Sequence, residues 1–187
     1  MLKRITVFVF LLVAGLSQAQ EGTVSPYSFY GIGTLKFKGT AENRAMGGIS
    51  VYSDSIHLSI QNPAGVAGLR LVNYTAGISH KYETIKTAEE SQKASTTSID
   101  YLALGIPLGK FGASFGLIPF TSVGYNLRTE DAGIETTYTG SGGLNKAFFT
   151  LAYQVTPELS VGVDANYNFG NIQNNAERRE DDIQYGT

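Results

Sequence analysis

The chain has 187 residues, a formal net charge of -2 and 42% hydrophobic residues. It contains no cysteine, so an exported form would gain no disulfide support. Beyond the amino-terminal segment, no apolar run approaches the roughly 18 residues that a membrane helix requires. Basic residues are not clustered, which excludes a nucleic-acid-binding surface.

Residues 1–19 have the pattern of a secretory signal peptide. Lys3 and Arg4 form the charged region, Ile5 to Leu16 the apolar core, and Ser17-Gln18-Ala19 a small-x-small cleavage site. The apolar core is too short to cross about 30 Å of hydrocarbon as a helix. We therefore predict export with cleavage before Gln20.

Residues 20–69 are rich in Gly, Ser and Asn and show no long alternation, which predicts a compact segment without long strands. Thr40 to Ala45 are expected to form one helical turn that is capped by Thr40 and ended by Gly47-Gly48. Gln61 to Gly65 are typical of a turn, because proline fixes φ there.

The alternation of apolar and polar residues over 70–187 predicts five successive β-strands. The clearest is the fifth, where apolar and polar or small residues alternate from Leu159 to Phe169, so that the apolar side chains share one face. The third is expected to run from Phe111 to Leu127 with Val123 and Tyr125 on the face of Phe115. Each predicted strand is expected to have one apolar face. In chain order, these faces are Val72, Tyr74, Ala76, Ile78 and Tyr82 in the first strand; Leu102, Leu104, Ile106 and Leu108 in the second; Phe111, Ala113, Phe115, Leu117, Val123, Tyr125 and Leu127 in the third; Phe149, Leu151, Tyr153 and Val155 in the fourth; and Leu159, Val161, Val163, Ala165, Tyr167 and Phe169 in the fifth.

The connections between these strands alternate in length. Polar loops are expected over Thr84 to Ser95, Arg128 to Asn145 and from Gly170 onward, and short turns at Gly109 and Pro157. Transmembrane β-barrels have short turns at one end and long loops at the other. The fold class predicted is therefore all-β, a transmembrane antiparallel β-barrel in the outer membrane, with an exported soluble β-protein as the alternative.

Five strands are too few for a single-chain barrel, which starts at about eight. We therefore expect these residues to be the amino-terminal plug and first strands of a larger barrel, or one of several chains that close a barrel together. The expected partners are outer-membrane lipid and the outer-membrane assembly machinery that inserts barrels.

The Asn62-Pro63-Ala64 motif, preceded by Gly39-Thr40-Ala41-Glu42-Asn43-Arg44-Ala45-Met46-Gly47-Gly48, resembles the FadL/TodX family of outer-membrane transporters for long-chain fatty acids and other hydrophobic compounds. That resemblance implies a plug inside a barrel and passive uptake of a hydrophobic small molecule. It also implies a gating role for Asn62, Pro63 and Ala64, and a lateral opening at Pro119.

Pro119 lacks an amide hydrogen, so within a strand it belongs at a bulge or an edge. Its neighbours Ile118 and Phe120 are expected on the polar lumen face, where they would contact an apolar ligand or pack against the plug. Asn62 gates the channel in one interpretation and satisfies turn backbone in the other.

A non-transporting barrel that serves secretion or surface binding is the alternative function. Catalysis is not expected, because neither His57 nor His80 lies near a Gly-x-Ser-x-Gly motif. Contiguous acids such as Glu89-Glu90 and Glu180-Asp181-Asp182 are interpreted as solvated loops, so no metal or cofactor is predicted.

Overall fold

The structure is a computed structural model that describes residue 23 and residues 25–52, 54–86, 91–131 and 133–180, with the backbone alone for Gln92 and Glu180. The predicted signal peptide lies outside the described residues. The dominant element is an antiparallel sheet that curls into a half-barrel, which confirms the all-β prediction. None of the helices in the described ranges has the length and hydropathy to cross a membrane.

Seven strands form this sheet in the described residues. They are β1 (Thr34–Leu35), β2 (Asn73–Lys86), β3 (Ser91–Leu108), β4 (Phe111–Pro119), β5 (Thr121–Asp131), β6 (Ile134–Gln154) and β7 (Ser160–Glu180). The strands β2, β3, β4, β6 and β7 are neighbours in that order, and each pair is antiparallel. The strand β5 pairs with the part of β6 that lies beyond the end of β4. The strand β1 pairs with the other edge of β5.

The amino-terminal segment carries the helical elements. The α-helix α1 (Ala41–Ala45) begins where expected, because Thr40 and Asn43 form a reciprocal capping box. Gly47 and Gly48 follow with φ values of 72° and 89°, conformations that suit glycine at a helix end. Two 3-10 helices, Pro26–Phe29 and Pro63–Gly68, complete the segment, and each has proline in its first turn.

The predicted long loops are mostly strand, so this part of the sequence interpretation is wrong. The strand β2 reaches Lys86 and β3 begins at Ser91, while β5 and β6 are separated only by residues 132–133. The strand β7 continues past Gly170 to Glu180 and pairs with β6 throughout. Polar composition indicated loops because apolar alternation was absent, but cross-strand hydrogen bonds extend these hairpins without it.

A second difference concerns the predicted third strand, which is two strands, β4 and β5. Pro119 pairs with Asn145 and Val123 pairs with Gly142, so three residues on one strand face two on the other. This extra residue is a β-bulge, and it turns the following side chains to the opposite face. Val123 and Tyr125 are consequently 1% and 7% exposed, whereas Phe115 is 47% exposed, so the expectation of a shared face is wrong.

Candidate functional site

The two faces of the sheet differ sharply in chemistry. We call the face that contacts residues 54–72 the inner face and the opposite one the outer face. The outer face of β2 to β4, of the Ala147–Tyr153 part of β6 and of the Val161–Phe169 part of β7 carries exposed apolar side chains. Members at least 40% exposed are Tyr74, Ile78, Tyr82, Ile99, Leu102, Leu108, Phe111, Phe115, Leu117, Phe149, Leu151, Val161, Val163, Tyr167 and Phe169.

The inner face has small and polar residues where the amino-terminal segment packs closely. Val66 is fully buried and Leu69 is 1% exposed, and both belong to a core cluster with Tyr101 and Phe148 of the sheet. Backbone reaches the sheet directly at Gly162, where an added Cβ would lie 2.5 Å from the carbonyl carbon of Pro63. The core therefore lies between the inner face and residues 58–69, and not between two sheets.

The helix α1 is attached to β3 at a second bulge. Gly77 pairs with Tyr101 and Ile78 with Ile99, which leaves Asp100 as the extra residue. The Ala41 N–H donates to the Tyr101 hydroxyl at 3.1 Å, and the Arg44 guanidinium lies 3.2 Å from the Asp100 carboxylate. The bulge thus brings two consecutive polar side chains to α1, one at its first residue and one in its last turn.

A corresponding contact joins the segment to the other side of the sheet. Lys38 Nζ lies 3.4 Å from Asp164 Oδ2 on β7. The same carboxylate accepts hydrogen bonds from the Thr150 hydroxyl at 2.9 Å and from the Asn166 amide at 3.0 Å. The amino-terminal segment is therefore held by β3 and by β7 at once.

The Asn62 side chain bonds to backbone outside its own turn, and not to the turn backbone as in the second interpretation. Its side-chain amide donates to the Ser50 carbonyl at 3.1 Å, and its backbone carbonyl accepts from the Gly65 N–H at 3.1 Å. Pro63 begins the second 3-10 helix and contacts Gly162, while Ala64 follows within that helix. The motif therefore connects two parts of the amino-terminal segment and packs on β7.

Pro119 ends β4 at the first bulge, as the missing amide hydrogen predicted. Phe120 N–H donates to the Leu144 carbonyl at 2.7 Å, and the Thr121 hydroxyl accepts from the Leu144 N–H at 3.2 Å. The pairing of β3 with β4 stops at Leu117. Beyond this point the edge of β5 pairs with β1, which occupies the place beside β5 where β3 has diverged.

The two apolar neighbours of Pro119 have different surroundings. Ile118 is 3% exposed and belongs to the core cluster, so it packs against other protein groups. Phe120 is half-buried, with the Lys146 ammonium 4.5 Å from its ring centroid. Its carbonyl accepts from the Lys36 N–H at 3.0 Å, which continues the β1 pairing by one bond.

Local contacts shift the pKa of two charged groups in the amino-terminal segment. Burial lowers the pKa of Lys36, and Asp100 opposes that shift. Hydrogen bonds from backbone and from Thr40 at the start of α1 lower the pKa of Glu42. No cluster of three or more His, Asp and Glu side chains in the described ranges is arranged to hold a metal ion.

A family model named BamG matches residues 1–187. The chain belongs to the BamG family. No curated protein and no solved structure gave a match. Family membership associates the chain with the outer membrane and with its assembly machinery.

This match corrects the family assignment made from sequence. BamG is a distinct family from FadL/TodX, so the resemblance at Asn62-Pro63-Ala64 was misleading, and uptake of fatty acids through a porin-like lumen is wrong for this chain. A motif of three residues that forms a proline-led turn is too short to separate families. The gating role of Asn62, Pro63 and Ala64, and the lateral opening and apolar contact at Pro119, Ile118 and Phe120, stay predictions that the contacts described above do not test.

Proposed function

We propose that this BamG-family protein is a non-transporting component of outer-membrane assembly whose sheet lies in the outer membrane with its outer face against lipid. The observation that supports this proposal is the exposed apolar outer face. Monomeric soluble proteins seldom expose contiguous apolar patches beyond a few hundred Å². In a lipid bilayer, the same side chains would contact apolar acyl chains instead of water.

The length of the apolar stretch on β7 supports the proposal. Val161 and Phe169 are eight positions apart, and a rise of about 3.3 Å per residue gives roughly 26 Å along the strand. The outward apolar band of outer-membrane barrels is about 25 Å tall. Beyond Phe169 the same face carries Asn171, Gln173 and Asn175, and then the charged Glu177 and Arg179.

Substitution of single residues on β7 tests the orientation. Val163→Arg should cost about 2 to 4 kcal/mol, because it places a charge on the lipid face near the middle of the band. Asn166→Arg on the opposite face is the matched control and should be tolerated. The amount of folded protein that resists extraction from outer membranes measures both, and an equal loss in the two variants would contradict the assigned faces.

The role in assembly is tested on cells that lack the protein. We expect lower steady-state amounts of other outer-membrane barrel proteins, and co-purification of the tagged full chain with the assembly machinery from detergent-solubilised membranes. Uptake of labelled oleate, normalised to total barrel protein, should be unchanged. Normal barrel amounts together with no co-purification would overturn the proposal.

A further inference from the structure

A polar groove crosses β5, β6 and β7 next to the apolar part of the outer face. It has a volume of about 470 Å³. Cross-strand pairing arranges its lining in two rows, each with one residue from β5, one from β6 and one from β7. The first row is Gly124, Ser141 and Gln173, and the second is Asn126, Thr139 and Asn175. The intervening Tyr125 and Gly140 lie on its floor, and the Tyr125 side chain extends to the other face, where its hydroxyl donates to Asn174.

The rows lie on the outer face because the pairing of β6 with β7 has no register shift. Val161, Val163, Tyr167 and Phe169 therefore share a face with Gln173 and Asn175. Gln173 is four residues beyond Phe169, or about 13 Å along the strand. A lipid whose chains lie along the apolar residues would place its headgroup at this groove.

The lining determines which headgroup chemistry fits. Three side-chain amides and two hydroxyls supply donors and acceptors, and none of the eight lining residues is acidic or basic. Lysine and arginine, the side chains that most often bind phosphate, are absent from this lining, whereas sugar hydroxyls donate and accept hydrogen bonds as amides and hydroxyls do. Gly124 has no side chain, which leaves room in the first row, whereas a Cβ added at Gly140 would meet the Tyr125 ring on the other face.

We propose that this groove binds the neutral sugar headgroup of a membrane glycolipid. The inference rests on the proposed membrane orientation, because that orientation supplies the lipid beside Phe169. In that arrangement the amides of Gln173 and Asn175 hydrogen-bond sugar hydroxyls while the acyl chains follow the apolar outer face.

Native mass spectrometry of the full chain in detergent tests the proposal, with digalactosyl diacylglycerol and phosphatidylethanolamine of identical acyl chains as probes. We expect preferential retention of the glycolipid, reduced roughly fivefold by Gln173→Ala or Asn175→Ala, since one hydrogen bond contributes about 1 kcal/mol. Asn168→Ala changes the same kind of residue on the opposite face and should leave the preference unchanged.

Equal retention of the two lipids, or an equal loss of preference in Asn168→Ala, would overturn the inference. Retention of soluble digalactosyl glycerol as tightly as of the lipid would also overturn it, in favour of a free saccharide. Membrane extraction of the same variants separates this test from the proposed function. An integrated protein without glycolipid preference refutes the groove alone, and a protein absent from membranes refutes the proposed function.

Discussion

At the scale of single residues, short-range chemistry decides the conformation of the amino-terminal segment. The reciprocal bonds of Thr40 and Asn43 start α1, and the sequence signal for this turn was sufficient because all its partners lie within three residues. The Asn62 bonds illustrate the opposite case. Its acceptor, the Ser50 carbonyl, is twelve residues away and has no signature in the motif.

His57 and Asp54 form a pair whose titration can be measured. His57 Nδ1 lies 2.7 Å from Asp54 Oδ2, and this hydrogen bond raises the pKa of His57. Because the folded pKa is raised, the stabilisation is fully present below the unfolded value of about 6.5 and is lost as pH rises through the folded pKa.

We therefore expect Asp54→Asn to move the NMR titration midpoint of the His57 ring to lower pH. Glu42→Gln should shift it less, because Glu42 acts on His57 only through a weaker charge interaction. An unchanged midpoint in Asp54→Asn would show that the hydrogen bond is not formed in solution.

Gly162 is a position where a single methyl group should matter. An added Cβ would lie 2.5 Å from backbone of Pro63, and backbone cannot move aside as a flexible side chain can. Gly162→Ala is expected to lower the free energy of unfolding by about 1 to 3 kcal/mol. Chemical denaturation of the detergent-solubilised protein measures this, and Asn168→Ala on the same strand is the control. Equal stability of the two variants would contradict the close packing of residues 63–67 on the sheet.

At the scale of elements, the two bulges determine which face of the sheet the side chains of β3 and β5 occupy. The extra residue after Pro119 reverses the faces of β5, and the extra residue Asp100 places two polar side chains beside α1. A sequence pattern with a period of two predicts faces only while the register continues. Pro119 predicted the first bulge, but no residue around Asp100 predicted the second.

The pairing of β1 with β5 can be tested directly because the native chain has no cysteine. Thr34 and Ser122 are directly opposite, so Thr34→Cys with Ser122→Cys should form a disulfide within one molecule. Thr34→Cys with Asn126→Cys is four residues out of register, about 13 Å along the strand, and should remain reduced. Mobility on a non-reducing gel after mild oxidation distinguishes them, and equal cross-linking of both pairs would refute the register.

At the scale of the whole molecule, the amino-terminal segment connects the two sides of the half-barrel. Arg44 binds Asp100 on β3, and Lys38 binds Asp164 on β7 across 126 positions of sequence. Such distant pairs cannot be inferred from one sequence, because neither partner carries a local signal. They explain how a segment without long strands keeps a fixed place on the inner face.

Removing one of these contacts should loosen the segment. Asp164→Asn deletes the charge that attracts Lys38 and is expected to destabilise the attachment by about 1 kcal/mol, since Lys38 is partly exposed. Limited proteolysis of residues 36–50 should become faster, and high salt should remove the difference between variant and wild type. Glu158→Gln, in the exposed turn before β7, is the control. Unchanged cleavage of Asp164→Asn would show that packing alone holds the segment.

The sequence by itself determined the features that depend on neighbours along the chain. These are the all-β class, the alternation of β7, the capped turn at Thr40 and the tight turn at Gly109, each encoded within a few residues. Only the tertiary structure decided the face reversal of Val123 and Tyr125, the place of β1 and the strand character of the polar hairpins. Those features depend on hydrogen bonds between distant segments, whose register a local pattern does not contain.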